Sequence, residues 1–158
     1  MKYSRLTDEQ LREMHGEFSR FLASQSITAD EWTDIKKNKP QAAEEEIDIF
    51  SDIVWEGVLR KVEYLEHLSK RQLFLFKVGE KQMSLVALKV NNEAINIMTK
   101  DGYRWLQDHL LDDQVTIYRS KKEISEDRCK DIFALIKQGS NITKGDLFHY
   151  FQKVIREN

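Results

Sequence analysis

The spacing of apolar residues changes several times along the chain, and each change predicts an element. From Thr7 to Ala23 the apolar positions Leu11, Met14, Phe18, Phe21 and Leu22 lie three and four apart, the stripe of one amphipathic helix. Thr7-Asp8-Glu9-Gln10 ahead of it is a capping box: Thr7 takes the Gln10 amide and Gln10 reaches back to the Thr7 amide. Thr28-Ala29-Asp30-Glu31 repeats the pattern and opens a short helix anchored by Trp32 and Ile35. Pro40 suits the first turn of a third helix, where a missing N–H costs nothing. Glu44, Glu45 and Glu46 favour its positive end. Ile47, Phe50, Val54 and Val58, with Trp55 beside them, form its buried face, and the helix should end near Lys61.

Between Gln72 and Val90 the pattern becomes that of strands. Two apolar runs, Leu73–Val78 and Met83–Val90, flank Gly79-Glu80-Lys81-Gln82. An antiparallel hairpin turning at Gly79-Glu80 follows, with Gly79 free to take φ > 0. Phe74, Phe76 and Val78 then share one face, Leu73 and Leu75 the other. Both faces are apolar, which places the hairpin centrally under helices. If the Phe76 ring is buried, Phe76→Ala should cost about 3–5 kcal/mol.

Val62–Ser69 fits a helix or a strand; the short gap before Leu73 favours a strand that joins the hairpin as a meander. Ala94–Met98 and Val115–Arg119 read as further strands. Thr99 caps a helix through Tyr103, Trp105, Leu106 and Leu110. Ser125 caps another, striped by Cys129, Ile132, Phe133 and Ile136 and ended by Gly139. Thr143 caps the last, with Leu147, Phe148, Phe151, Val154 and Ile155 inward. The class is α+β: N-terminal helices, a central, mostly antiparallel sheet of four to five strands, and a C-terminal helical pair, in one globular domain over residues 1–158.

Composition agrees with a globular chain: of 158 residues, 41% are hydrophobic and 33% charged. One proline and six glycines leave little for linkers. No apolar run has the length of a membrane span, and MKYSRLTDEQ lacks the apolar stretch of a signal peptide. The single cysteine, Cys129, excludes an internal disulfide and fits a reducing cytoplasm. The net charge of −2 conceals an asymmetry. Residues 1–56 carry seven basic and thirteen acidic side chains, residues 57–118 nine and eight, residues 119–158 nine and six. The segments therefore stand at −6, +1 and +3. An unevenly charged solvated surface accounts for this; a basic end that meets an acidic partner is the sharper alternative.

Phe50-Ser51-Asp52-Ile53-Val54-Trp55-Glu56 and Tyr64-Leu65-Glu66-His67-Leu68-Ser69-Lys70 resemble segments of an uncharacterised family of short bacterial proteins. Met1-Lys2-Tyr3, Leu6-Thr7 and Gln25-Ser26-Ile27 fit the same family. The resemblance covers most of the chain and implies a bacterial cytoplasmic protein. The family has no established activity, so it assigns no role to any residue.

The familiar catalytic and cofactor motifs are missing. There is no G-x-G-x-x-G, no P-loop, no G-x-S-x-G and no H-E-x-x-H, and Gly139–Gly145, GSNITKG, orders its glycines and lysine wrongly for a phosphate loop. Three constellations remain. Glu45, Asp48, Asp52 and Glu56 share one helix face, an arrangement that can hold Mg²⁺ for hydrolysis because a hard cation prefers oxygen ligands. Glu44-Glu45-x-x-Asp48 resembles half of the E-E-x-x-E motif of all-α nucleotide pyrophosphatases, but the E-x-x-D half has no counterpart and the fold class differs. A solvated outer face explains the same stripe.

Glu63, Glu66 and His67, near Ser69 and Lys70, are the catalytic candidates, since a histidine beside carboxylates can act as a general base. On a strand, Glu63, His67 and Ser69 share one face and Glu66 and Lys70 the other, and the plainer reading is a charged strand that resists edge pairing. Arg119, Lys121, Lys122 and Lys144 are the nucleic-acid candidates; Tyr103-Arg104-Trp105 and Tyr118 interleave aromatics with bases. The last two helices could also form a helix-turn-helix. Glu123, Glu126, Asp127 and Asp131 offset those cations, and the isoelectric point of about 6.1 is far below that of a basic nucleic-acid binder.

The reading that follows is a cytoplasmic, non-enzymatic protein-binding or adaptor domain, with a protein partner, no cofactor, no membrane and nucleic acid the weaker partner. A metal-dependent hydrolase and a weak nucleic-acid binder are the alternatives.

Overall fold

A computed structural model describes residues 1–157, which divide into two compact units, Met1–Arg60 and Lys61 onward. The first unit is helical: α1 (Asp8–Glu13), α2 (His15–Ser24), α3 (Ala29–Asn38) and α4 (Pro40–Arg60). The capping box at Thr7 forms in full: the Gln10 amide donates to Thr7 Oγ1 at 3.1 Å and the Thr7 amide to Gln10 Oε1 at 2.9 Å. The single helix expected from Thr7 to Ala23 is broken at Met14, whose backbone leaves the helical region at φ −102°, ψ 25°. The break lets Leu11 and Met14 on one piece and Phe18 and Leu22 on the other join one cluster around Phe50. The Phe18 ring lies 5.0 Å from Phe50 and 5.2 Å from Trp32. At Thr28 only half a capping box forms, because the Glu31 carboxylate accepts from the Thr28 hydroxyl rather than from its amide. Val58, expected inside, is exposed, and Leu59 is fully buried in its place.

The second unit is built on an antiparallel sheet ordered β4-β3-β2-β1-β5. Its strands are β1 (Tyr64–Leu68), β2 (Gln72–Val78), β3 (Gln82–Val90), β4 (Val115–Glu123) and β5 (Asn141–Thr143). The hairpin pairs as expected, from Gln72 opposite Lys89 to Val78 opposite Met83. Its turn does not use the conformational freedom foreseen for Gly79, whose φ is not positive. What Gly79 provides is room: a Cβ there would lie 3.1 Å from the Gln82 carbonyl, which accepts the Gly79 amide at 2.9 Å. Val62–Ser69 does supply a strand, paired to β2 from Tyr64 opposite Lys77 to Leu68 opposite Leu73.

Ala94–Met98 is not a strand. The Asn92 and Asn96 side chains accept the Ala94 and Met98 amides at 2.9 and 3.0 Å, so two Asx turns outcompete strand pairing. Ile95 and Ile97 still reach the core. The fifth strand comes instead from Asn141–Thr143, which pairs with β1 and is too short and polar to announce itself.

The remaining helices are α5 (Lys100–Asp108), α6 (Arg128–Lys137) and α7 (Asp146–Glu157). Thr99 caps α5 as expected. Asp127, not Ser125, caps α6; its side chain accepts the Lys130 amide at 3.1 Å, while Ser125 donates to Asp131. Gly139 ends α6 at φ +115°, with its amide on the Ile136 carbonyl and the Ser140 amide on the Leu135 carbonyl, a Schellman motif. Thr143 lies in β5, so α7 starts three residues later than its expected cap, after Gly145 at φ +90°. Because β5 stands between α6 and α7, that pair is not a helix-turn-helix.

One sheet face carries Leu73, Leu75, Val86, Leu88 and Val90, packed with Ile97, Leu106 and Leu110 around α5 and Phe148 and Phe151 of α7. At this level the hairpin faces are unequal: Leu73 and Leu75 are buried to 0% and 1% exposure, whereas Phe74 and Phe76 on the opposite face are half-buried. The full burial that would make Phe76→Ala cost about 3–5 kcal/mol is therefore absent at Phe76 and present at its neighbours. Arg128 at the start of α6 donates to the carbonyls of Val62, Val78 and Gly79, and Gly139 past its end lies against the His67 ring.

Candidate functional site

The acidic stripe of α4 faces the chain's own N-terminal segment. The Asp52 carboxylate accepts the backbone amides of Lys2 at 2.6 Å and Tyr3 at 2.8 Å. The Tyr3 hydroxyl donates to Glu56, which also lies 3.6 Å from Lys2 Nζ and from Arg60. Arg5 grips Asp48 with two nitrogens at 2.5 and 3.1 Å, which holds the Asp48 carboxyl below the usual carboxylate range. Burial, together with the Glu56 hydrogen bond, pushes the Tyr3 phenol up to about 12. One turn away the Leu6 amide donates to the fully buried Ser51 hydroxyl at 3.0 Å. Asp48, Asp52 and Glu56 thus tie residues 2–5 along α4, and exposed Glu45 stands apart from those bonds. Among the described residues no three His, Cys, Asp or Glu side chains converge as a metal site.

This geometry gives the stripe a structural task that can be measured. Asp52→Ala removes the acceptor of two backbone amides. It is expected to cost about 1–2 kcal/mol in chemical denaturation, the range for charge-assisted bonds at a partly exposed site. Millimolar Mg²⁺ should leave the wild-type melting temperature unchanged. A Mg²⁺-dependent rise that Asp52→Ala abolishes would instead assign the stripe to a cation.

Glu63, Glu66 and His67 do not come together. His67 and Glu66 point to opposite sheet faces, and Glu63 lies ahead of β1 with its carbonyl accepting the Val78 amide. The His67 ring packs 6.3 Å from Phe74 and touches Gly139. Glu66 is half-buried on the α7 side, and burial first, then the Asp146 charge, raise its carboxyl above the ordinary value. A carboxyl raised in the fold stabilises it in the protonated form. That contribution is complete below the unfolded value and is lost as pH climbs through the folded one. Glu66→Gln should therefore melt slightly higher than wild type at pH 7, with the gap closing by about pH 4. A lower melting temperature at pH 7 would contradict the burial of this charge.

The basic candidates also separate. Arg119, Lys121 and Lys122 lie on β4 at one edge of the sheet, with Arg119 and Lys121 on one face and Lys122 on the other. Lys144 follows β5 at the opposite edge, four strand spacings or roughly 19 Å away. His109 closes α5: its ring stacks on Trp105 at 4.4 Å and its Nδ1 lies 2.7 Å from the Trp105 carbonyl. Cys129 is buried.

In the first unit, part of the apolar helical stripe remains open to solvent as a groove. Leu11, Phe18, Leu22, Trp32 and Ile47 floor an open groove of about 320 Å³, and Arg12, His15 and Lys36 stand on its rim. No carboxylate lines it, although this part of the sequence is the acidic one. Lys36 Nζ lies 6.0 Å from the Trp32 ring centre. The groove's walls come from both sides of the break at Met14, Leu11 and Arg12 from α1 and His15, Phe18 and Leu22 from α2. Across the described residues no helix is long and apolar enough to cross a membrane.

Compared with known protein families, the chain matches the model described as a family of unknown function (DUF6495) over residues 1–156. No curated protein and no solved structure matches it.

Proposed function

We propose that this chain, which belongs to the DUF6495 family of unknown function, is a cytoplasmic bacterial protein-binding module. The observation that carries the reading is the groove of the first unit, apolar on its floor and cationic on its rim. Apolar anchors supply affinity by leaving water, and rim charges select the partner by sign. At about 320 Å³ the groove has room for one or two bulky apolar side chains, not for a whole helix. Its occupant is therefore an acidic segment of a partner protein that presents such anchors from one helical face, the groove mode of peptide recognition.

The hydrolase and nucleic-acid readings draw less support. Three carboxylates of the acidic stripe already serve the N-terminal segment, and the cations of β4 and Lys144 lie at opposite sheet edges.

The test titrates a labelled amphipathic acidic peptide with leucines at i, i+3 and i+4 against the protein, with a basic peptide of the same apolar pattern and a single-stranded RNA as comparisons. Binding of the acidic peptide that weakens with salt and is lost in Arg12→Glu/Lys36→Glu is the expected result. Equal binding of the two peptides, or no effect of the charge reversal, would remove the groove from the account. RNA binding tighter than roughly 10⁻⁴ M at physiological salt, the weak limit of non-specific association, would favour the nucleic-acid reading instead.

A further inference from the structure

We infer a second binding site, independent of the helical groove, for a polar phosphorylated small molecule at the end of the sheet where the β1–β2 turn meets the exit of β3. A cavity of about 700 Å³ lies there, within the range of small-ligand sites. Lys70, Arg71 and Lys89 supply three cations to it, and Ser69, Gln72 and Asn91 supply neutral hydrogen-bonding groups. Glu93, also in the lining, approaches Arg71 only to 3.8 Å and is 95% exposed, a pairing too weak to neutralise the guanidinium. Among the described residues neither Lys70 nor Lys89 has an ion-pair partner. The lining as a whole stands at +2, which complements a phosphate dianion, and the arginine fork matches phosphate oxygens in pairs.

The backbone that roots these side chains is held on every side. The Lys70 carbonyl accepts the Ile97 amide and the Arg71 carbonyl the Val90 amide, both at 2.8 Å. The Ser69 amide reaches the Gln72 carbonyl at 2.9 Å, and Gln72 pairs with Lys89 across the strands. Asn91 is fixed through its side chain to Thr116 at 3.0 Å. Lys70 and Arg71 thus spring from a hydrogen-bonded turn and Lys89 from β3, backbone that binding need not order, which lowers the entropic cost of capturing an anion.

The lining also limits what the phosphate is attached to. Val90 is its one apolar residue, so an acyl chain finds little beyond the lysine and arginine stems to bury against. No aromatic ring lines it, so a nucleobase finds nothing to stack on. A hydroxylated carrier satisfies the amide and hydroxyl groups, which points to the sugar-phosphate class.

The experiment is calorimetric titration of the full chain with fructose 1,6-bisphosphate and with inorganic phosphate, at ionic strength matched with sodium chloride. Saturable binding of the bisphosphate at roughly millimolar affinity or better is expected, with inorganic phosphate weaker. Lys70→Gln/Lys89→Gln should weaken the bisphosphate at least about tenfold, the equivalent of one charge-assisted hydrogen bond, while the unliganded melting temperature stays that of wild type. Both lysines are exposed; if the double variant nevertheless misfolds, Lys89→Gln alone carries the same expectation in smaller measure. No saturable heat with either probe, or equal affinity in wild type and variant, would overturn the site.

Discussion

Phe151→Ala should lower the stability of the protein by about 3–5 kcal/mol, the usual cost of emptying a ring from a closed core. Phe151 has no exposed surface. It belongs to the cluster in which α7 meets Leu73, Leu75, Val86 and Leu88 of the central strands, and its ring meets Tyr103 of α5 edge-on at 6.2 Å and Tyr150 at 5.0 Å. The position therefore joins two helices to the sheet, and the truncated site cannot collapse without moving one of them. Phe151→Leu keeps most of the volume and should cost less than half as much. Denaturant unfolding at constant slope is the measurement, since an unchanged slope identifies a change in stability rather than in the denatured state. A loss below about 1 kcal/mol for Phe151→Ala would mean that α7 does not close this face of the sheet.

Gly102→Ala is expected to be nearly as damaging, against the sign of helix propensity. Alanine is favoured over glycine in a helix by about 1 kcal/mol, so on sequence alone the change is stabilising. In the fold, a Cβ on Gly102 would stand 1.7 Å from the Asn96 carbonyl oxygen and 2.4 Å from its carbon, an overlap with backbone. That carbonyl also accepts the Thr99 amide at 3.1 Å and the Thr99 hydroxyl at 2.7 Å, so moving it disturbs the cap of α5. Overpacking against an anchored backbone outweighs the propensity gain, and a net loss of about 2–4 kcal/mol is expected. An unchanged or higher denaturation midpoint would show that the turn at Asn96 yields freely.

The elements with strong local signals are legible in the sequence. The Thr7 capping box, the Thr99 cap, the Leu73–Val90 hairpin and the Gly139 helix end all form where the residues place them, because the caps find partners within a few positions and the hairpin pairs two runs joined by a short turn. The α+β class follows from the same signals. Local signals mislead where two short-range solutions compete. Ala94–Met98 has strand-like composition, yet the asparagine side chains two residues before Ala94 and Met98 capture those amides first. Ser125 and Asp127 are both able caps, and Asp127 takes the role.

What only the tertiary structure decided is which distant residues meet. Asn141–Thr143 has no strand pattern of its own and becomes a strand because β1 offers a free edge. The α4 carboxylates read as a metal stripe or a solvated face along one helix, but their partners, the amides of Lys2 and Tyr3 and the Arg5 side chain, lie more than forty residues away. His67 and Glu66 are adjacent in sequence and separated by the thickness of a sheet, since successive strand residues face opposite ways. Lys70, Arg71 and Lys89 acquire their common cavity only when the β2–β3 register sets Gln72 opposite Lys89. Sequence periodicity reports which side of an element is apolar. It carries no information about which other element that side, or the charged side, will face.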